Sequence, residues 1–157
     1  MPEVFAKLQL PGSALAAERY YFDDVNRQAV LIPTVADTLA RLAHHRLYIV
    51  SNGFESAQRF RLEKSHLLHF FDDIFVSDTI GSPKPTTAFF DHVAARVPDY
   101  DPATSLIIGD SLTSDIQGGH NAHMDTAWYN PHFLPNRGKQ RPTYTLSNFS
   151  DLLQLVG

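Results

Sequence analysis

The 157-residue chain contains no cysteine. This absence excludes a disulfide framework, a zinc site built from thiolates and a cysteine nucleophile, and it is typical of a reducing compartment. No stretch approaches the ~20 apolar residues that a membrane span needs. The first residues, MPEVFAKLQLPG, also lack the basic start and apolar run of a signal peptide. We therefore expect a cytoplasmic protein without a membrane partner.

An excess of positive charge is absent as well. The formal net charge is −4, which gives no electrostatic reason to expect nucleic acid as a partner. Hydrophobic residues make up 43% of the chain and charged residues 19%, as in an ordinary soluble domain. A chain of this length buries roughly 68–70% of its unfolded surface. The expected ligand is a small molecule.

Short apolar runs alternate with helical patterns along the chain. Turn-bounded apolar runs predict strands over residues 47–50, 74–76, 106–108, 126–129 and 144–146. Helical periodicity predicts helices over residues 13–28, 35–44, 55–65, 87–97 and 114–122, and a last helical turn over 151–155. Because the strands are continuously apolar, we predict an α/β fold, a Rossmann-like parallel sheet with helices on both faces. Ligands of such sheets bind at the carboxyl ends of the strands.

Two aspartates follow the strand predicted at 106–108, in the sequence GDSLTSD. Asp110 comes directly after the strand, and Asp115 lies near the start of the next helix. Two carboxylates in one crevice repel each other unless a cation lies between them. A hard divalent cation with oxygen ligands, Mg²⁺ before Ca²⁺, suits such a pair. The structural alternative is that Asp110 begins a turn and Asp115 caps a helix.

Two further segments carry groups that suit an anion. Ser51-Asn52-Gly53 lies at a strand-to-helix turn, where a hydroxyl and backbone N–H groups form a phosphate cradle. Lys84 stands between two prolines, which stiffen the loop and hold the ammonium clear of regular structure. The alternatives are ordinary turn chemistry for Ser51–Gly53 and a solvated side chain for Lys84. All these segments follow predicted strands, so they are expected to converge on one pocket.

The order of these motifs resembles the haloacid dehalogenase superfamily of phosphohydrolases. The residues that carry the resemblance are LYIVSNG with Ser51, GSPKP with Lys84, and IIGDSLTSDIQGG with Asp110 and Asp115. The intervening sequence, FESAQRFRLEKSHLLHFFDDIFVSDTI, and the later AHMDTAWYNP are similar to the helical-cap subfamily. Within that subfamily the pyrimidine 5′-nucleotidase-like members are the most similar. The resemblance covers about residues 32–155.

The resemblance implies a role for each matching residue. Ser51 and the amide of Asn52, with Gly53, would bind the substrate phosphoryl group, and Lys84 would neutralise charge on that group and on the nucleophile. Asp110 would be a direct Mg²⁺ ligand, with Asp115 in or near the coordination shell. The implied activity is Mg²⁺-dependent hydrolysis of a small phosphomonoester, such as a nucleoside 5′-monophosphate, through an aspartyl-phosphate.

The first motif of that family, an apolar strand ending in Asp-x-Asp-x-Thr or Val, is missing. It holds the nucleophile and the general acid/base. The nearest match is YYFDDVN over residues 20–26, in which Asn26 stands where the acid/base aspartate belongs if Asp24 is the nucleophile. We interpret residues 1–31 as a remnant of the helical cap and residues 32–157 as a core domain without its first strand. The chain is thus expected to be N-terminally truncated and inactive by itself.

A missing central strand would leave a slot between strands 47–50 and 106–108. Unpaired N–H and C=O groups there would each cost about 1–3 kcal/mol. We expect residues 4–10, direct pairing of the two strands, or a second copy in a homodimer to fill the slot. Two alternatives to an enzymatic function remain open. One is a non-catalytic protein that binds phosphate or a partner, and the other is a receiver-like domain, in which the acidic pair should precede the serine and lysine.

Overall fold

The structure is a computed structural model that describes residues 29–156. Its helices are α1 (Val35–Arg41), α2 (Glu55–Lys64), α3 (Ser77–Ile80), α4 (Thr87–Ala94), α5 (Gln117–Asn121) and α6 (Leu153–Val156). Its strands are β1 (Tyr48–Ser51), β2 (Asp73–Val76), β3 (Leu106–Gly109), β4 (Asp125–Tyr129) and β5 (Tyr144–Leu146). A π-helical turn, Leu112–Ile116, precedes α5. The helix predicted over residues 13–28 and most of the proposed cap remnant lie outside the described residues.

Every described strand pair is parallel. β1 pairs with β2, with Val50 opposite Phe75. β4 pairs with β3 on one side and with β5 on the other, with Ala127 opposite Ile108 and Tyr144. The predicted parallel α/β architecture is confirmed, and each predicted strand in the described residues has a counterpart.

β1 and β3 lie in separate sheets, and no strand among residues 29–156 lies between them. Direct pairing of the strands at 47–50 and 106–108, one of the three expected ways of filling the slot, is therefore ruled out. The side chain of Lys84 connects the two strands instead. Its ammonium donates to the carbonyl oxygen of Val50 on β1 and to the carboxylate of Asp115, which follows β3. Residues 4–10 lie outside the described residues, and filling of the slot by a second copy stays a prediction.

Hydrophobic clusters cover both faces of the strands. On one face, β2 and β3 meet α4 through Phe75, Phe89, Phe90, Val93 and Ile107. Leu106, the neighbour of Ile107, contacts a different cluster, formed by Ala127, Leu146 and Leu152. Consecutive strand residues point to opposite faces. Phe149 connects that second cluster to Val35 and Leu39 of α1. Helices therefore cover both faces, as the sequence predicts.

The strands beside the slot are less buried than their apolar sequence predicts. All four residues of β1 are half-buried, and Ile108 on β3 is 37% exposed. β2 differs, because its last three residues are buried. Within the described part of the chain, β1 and β3 each have a strand neighbour on one side only. Their inner edges therefore have less cover than the edges of central strands.

Two local features were not predicted. The short helix α3 follows β2 directly and ends at Gly81, whose φ of 77° is the left-handed conformation common at helix C-termini. The helix predicted over residues 114–122 begins instead as a π-helical turn and becomes α-helical at Gln117.

Of the helices within residues 29–156, none has the length and apolar character that crossing a membrane requires.

Candidate active site

The candidate site lies at one edge of the parallel strands. β1 ends at Ser51, β3 ends at Gly109, and the polar residues of the motifs follow at once. Parallel strands place their carboxyl ends on the same side, as expected for a ligand site in an α/β fold. Hydrogen bonds across the gap between β1 and β3 connect the predicted segments.

Lys84 is at the centre of these contacts. Its Nζ donates to Asp115 Oδ1 at 2.7 Å and to the carbonyl oxygen of Val50 at 2.7 Å. Lys84 is only 9% exposed, so it is not the freely solvated side chain of the structural alternative. An ammonium has three N–H donors. Two of them have partners among residues 29–156, and no partner for the third is found there.

Asn52 ties the lysine loop to the turn after β1. Its side-chain oxygen accepts from the backbone N–H of Lys84 at 2.8 Å, and its side-chain nitrogen donates to the carbonyl oxygen of Lys84 at 3.0 Å. The sequence pointed to the backbone amide of Asn52 as a phosphate donor. The structure shows in addition that its side chain holds Lys84 in register with Ser51. The peptide bond between Lys84 and Pro85 is cis.

Asp115 is buried at 7% exposure and turns back towards the end of β3. Oδ1 accepts from Lys84, and Oδ2 accepts from the backbone N–H of Ser111 at 3.1 Å. A side chain at Gly109 would overlap the Asp115 carboxyl group, so this close approach requires glycine there. Both carboxylate oxygens of Asp115 thus have protein partners. This geometry suits a residue that positions the site.

Asp110 presents a different environment. It is exposed, and its backbone carbonyl accepts from the indole Nε1 of Trp128 at 2.9 Å. Its carboxylate has no hydrogen-bond or ion-pair partner within the described part of the chain. Asp110 lines a cavity of about 520 Å³ together with Trp128, Asn130, His132 and Leu134.

Ser51 and Gly53 lie across the gap. The Ser51 hydroxyl accepts from Gln58 Nε2 at 3.0 Å. Gly53 lines a second cavity, of about 430 Å³, with Phe54 and Ser82. The start of the ten-residue helix α2 follows directly, and the N-terminus of a helix favours an anion.

A relay of amide side chains behind Lys84 was missed by sequence reasoning. Gln140 donates to Gln117 at 3.2 Å, Gln117 donates to Asn121 at 2.8 Å, and Asn121 donates to the carbonyl oxygen of Pro85 at 2.8 Å. Gln117 and Asn121 are four residues apart on α5, but their contacts with Gln140 and with Pro85 cross 23 and 36 residues, so no local signal identifies the relay. Their contacts hold the lysine loop at Pro85, next to the Lys84 backbone that Asn52 holds.

The chain contains one Asp-x-Asp sequence, Asp99-Tyr100-Asp101, but the structure places it away from the site. Asp101 caps the short turn before β3 by accepting from the N–H of Ala103 at 2.9 Å. This turn precedes the amino end of β3, whereas the site lies at its carboxyl end. The pair therefore does not supply the missing first motif.

An α/β fold with a hydroxyl, a buried lysine and two aspartates at adjoining strand ends defines a phosphohydrolase-like site. A family model described as haloacid dehalogenase-like hydrolase matches residues 3–123. The chain therefore belongs to the haloacid dehalogenase-like hydrolases, as the motifs predict.

Known proteins support this assignment. Pyrimidine 5′-nucleotidase PynA of Streptococcus pneumoniae is 38% identical over 147 residues, which cover 92% of this chain and 61% of PynA. Putative HAD-hydrolase YfnB of Bacillus subtilis is 44% identical over 110 residues, 70% of this chain and 47% of YfnB. The crystal structure of magnesium-bound YfnB matches with a TM-score of 0.91 and 35% identity, covering 99% of this chain and 68% of that one. The chain thus spans about half to three-fifths of the length of these two relatives.

Proposed function

We propose that the chain forms the phosphate- and magnesium-binding part of a phosphomonoester hydrolase that acts on a nucleoside 5′-monophosphate. The observation that carries the proposal is the unbroken series of contacts from the Ser51–Asn52 turn through Lys84 to Asp115. The named activity of PynA, a pyrimidine 5′-nucleotidase, supports the choice of substrate class.

The contacts suggest a distinct role for each residue. The Ser51 hydroxyl and the backbone around Gly53 would donate to phosphoryl oxygens, next to the start of α2. Lys84 would direct its remaining N–H at the same group, adding a positive charge at short range. Asp115 would hold the ammonium in place. In a site that excludes water, such fixed donors stabilise developing negative charge more strongly than solvent does.

Asp110 is the residue that fits a magnesium ion best. Its carboxylate is exposed and has no partner among the described residues, whereas both oxygens of Asp115 are engaged. Residues 29–156 contain no group of three His, Cys, Asp or Glu side chains that could hold a metal. Mg²⁺ commonly uses one or two carboxylates and completes its shell with waters and substrate phosphate. The bound ion would neutralise charge on the phosphoryl oxygens.

We expect little turnover from the 157-residue chain alone. The described residues hold no aspartate where the family's nucleophile would stand, between the ends of β1 and β3. Phosphate monoesters need more than about 20 kcal/mol of barrier reduction, which binding groups without a nucleophile do not supply. If the slot is covered by a second copy, the chain will elute as a dimer whose dissociation exposes the edges of β1 and β3.

The proposal is tested by measuring phosphate binding and turnover on the same protein. Calorimetry with inorganic phosphate and Mg²⁺ should show binding that Lys84→Met weakens, measured on protein whose Trp128 fluorescence shows it to be folded. Lys139→Met, a change at an exposed lysine, should leave binding unchanged. Phosphate release should be slow from uridine 5′-monophosphate and slower from glyceraldehyde 3-phosphate. Fast, Mg²⁺-dependent release would contradict the expectation of little turnover. Tighter binding of uridine 5′-monophosphate than of inorganic phosphate would favour the enzyme, and equal binding would favour the non-catalytic phosphate-binding protein. Absence of phosphate binding would contradict the proposal.

A further inference from the structure

Gln58 and Arg61 form a pair of contacts behind the phosphate cradle. Both lie on α2, three residues apart, so their side chains occupy one face of the helix. Gln58 Nε2 donates to Ser51 Oγ at 3.0 Å. Arg61 donates through a terminal guanidinium nitrogen to Gln58 Oε1 at 3.4 Å. Neither contact is part of the motifs that identify the family.

The chemistry of these groups fixes the direction of every hydrogen bond. A guanidinium donates and never accepts. The Gln58 oxygen must therefore face Arg61, and the Gln58 amide nitrogen must face Ser51. Because that nitrogen is a donor, the Ser51 hydroxyl can only accept from it. The hydroxyl hydrogen is left to point elsewhere, and no acceptor for it is found among residues 29–156.

The packing around Gln58 and Arg61 restricts the positions that their side chains can adopt. A Cβ at position 53 would lie 3.1 Å from Gln58 Nε2 and 3.7 Å from Ser51 Oγ. Glycine therefore gives Gln58 room to reach the serine. Arg61 is half-buried, and its Nε is buried with no partner in the described part of the chain. The Arg61 side chain is thus confined beside Gln58 rather than spread into solvent.

We propose that Arg61 and Gln58 are positioning residues that lock the Ser51 hydroxyl as a hydrogen-bond donor to the bound phosphoryl group. This inference rests on the proposed function. A free serine hydroxyl rotates between donating and accepting, so it binds an acceptor or a donor. The relay occupies one of the two lone pairs of the hydroxyl oxygen and turns the O–H away from Gln58. The site then favours ligands whose oxygens only accept, as those of an ionised phosphate monoester do.

Two substitutions of Gln58 in the full chain separate this role from a structural one. Gln58→Leu removes the relay and leaves the hydroxyl free to rotate. Gln58→Glu places an acceptor beside Ser51, so that the hydroxyl donates to the new carboxylate instead of to phosphate. Titration with inorganic phosphate should show weaker binding in Gln58→Leu and a further loss of roughly tenfold in Gln58→Glu. Thermal unfolding of each variant reports whether the fold is retained.

The same pair of changes in a Ser51→Ala background controls for the added negative charge. If the hydroxyl is responsible for the loss of phosphate affinity, the difference in affinity between the Glu and Leu variants disappears in the Ser51→Ala background. A difference of the same size with and without Ser51 would overturn the relay, because charge repulsion alone would explain it. Equal binding by the Glu and Leu variants in the Ser51 chain would overturn it as well.

Arg61→Met provides a second, independent variant. It should weaken phosphate binding in the chain that has Gln58 and have no effect in the Gln58→Leu chain, because Arg61 acts through Gln58. An equal effect of Arg61→Met in both chains would contradict the relay while leaving the proposed function in place. If the unmodified chain binds no phosphate, the proposed function fails and the relay fails with it.

Discussion

Replacing Lys84 with methionine is expected to destabilise the fold strongly. The change removes the ammonium that contacts Asp115 Oδ1 and the Val50 carbonyl, both at 2.7 Å. The side chains of Lys84 and Asp115 are only 8% and 11% exposed, so water cannot replace the lost partner. Breaking one side of a buried ion pair costs about 3–5 kcal/mol. Domains have a free energy of unfolding of roughly 5–15 kcal/mol in all, so the loss of stability should be readily measured.

The double variant Lys84→Met/Asp115→Leu should be more stable than either single variant. The single changes each leave one buried charge unpaired, whereas the double change removes both charges. We expect a coupling energy of at least about 2 kcal/mol. Lys139→Met, at an exposed position, should shift stability by less than about 0.5 kcal/mol.

Urea unfolding followed by tryptophan fluorescence measures these differences. The chain has a single tryptophan, and Trp128 is buried beside Asp110, so its emission reports on the site as well as on the fold. The reasoning is refuted if Lys84→Met costs less than about 1 kcal/mol. It is also refuted if the effects of the two single changes add in the double variant.

Two further predictions use the same unfolding assay, and a third uses limited proteolysis. Gly109→Ala should lower the free energy of unfolding, because the added Cβ would overlap the Asp115 carboxyl group; an unchanged midpoint would contradict this. Burial, with Asp101 adding, raises the pKa of Tyr100 above its usual 10.0. The unfolded chain then ionises first, so stability should fall as the pH rises above 10.0, and less so in Tyr100→Phe; an equal fall in both would argue against it. Asn130→Ala should expose the loop after β4 to protease, since Asn130 holds that loop by two hydrogen bonds; unchanged cleavage would show that they do not order it.

The sequence predicted the strands well because each is a short apolar run between turn residues. The strand predicted at 106–108 became β3, Leu106–Gly109, and the strand predicted at 47–50 became β1, Tyr48–Ser51. The π-helical turn could not be predicted in this way. In that turn the N–H of Ile116 bonds to the carbonyl of Ser111, while Asp115 turns inward to meet Lys84. The contact between Lys84 and Asp115 spans 31 residues, so the local sequence pattern does not predict it.

The sequence predicts which polar residues lie at the strand ends but not the contacts between them. The positions of Ser51, Lys84 and Asp110 follow from strand ends that carry polar residues. The sequence treated Asp115 chiefly as a possible metal ligand, and the structure pairs it with Lys84. The side chain of Asn52 likewise carries contacts that its turn position does not suggest. Such details depend on which loops meet, and only the tertiary fold determines that.

The central claim is that phosphate and Mg²⁺ bind next to each other at the carboxyl ends of β1 and β3, although Gly53 and Asp110 line separate cavities there. Calorimetric titration of the full chain with inorganic phosphate, with and without Mg²⁺, tests it most directly. If the two ligands bind next to each other, Mg²⁺ should tighten phosphate binding by roughly 5- to 150-fold, and Asp110→Asn should abolish this gain. Phosphate affinity that is the same with and without Mg²⁺ in the unmodified chain would contradict the account.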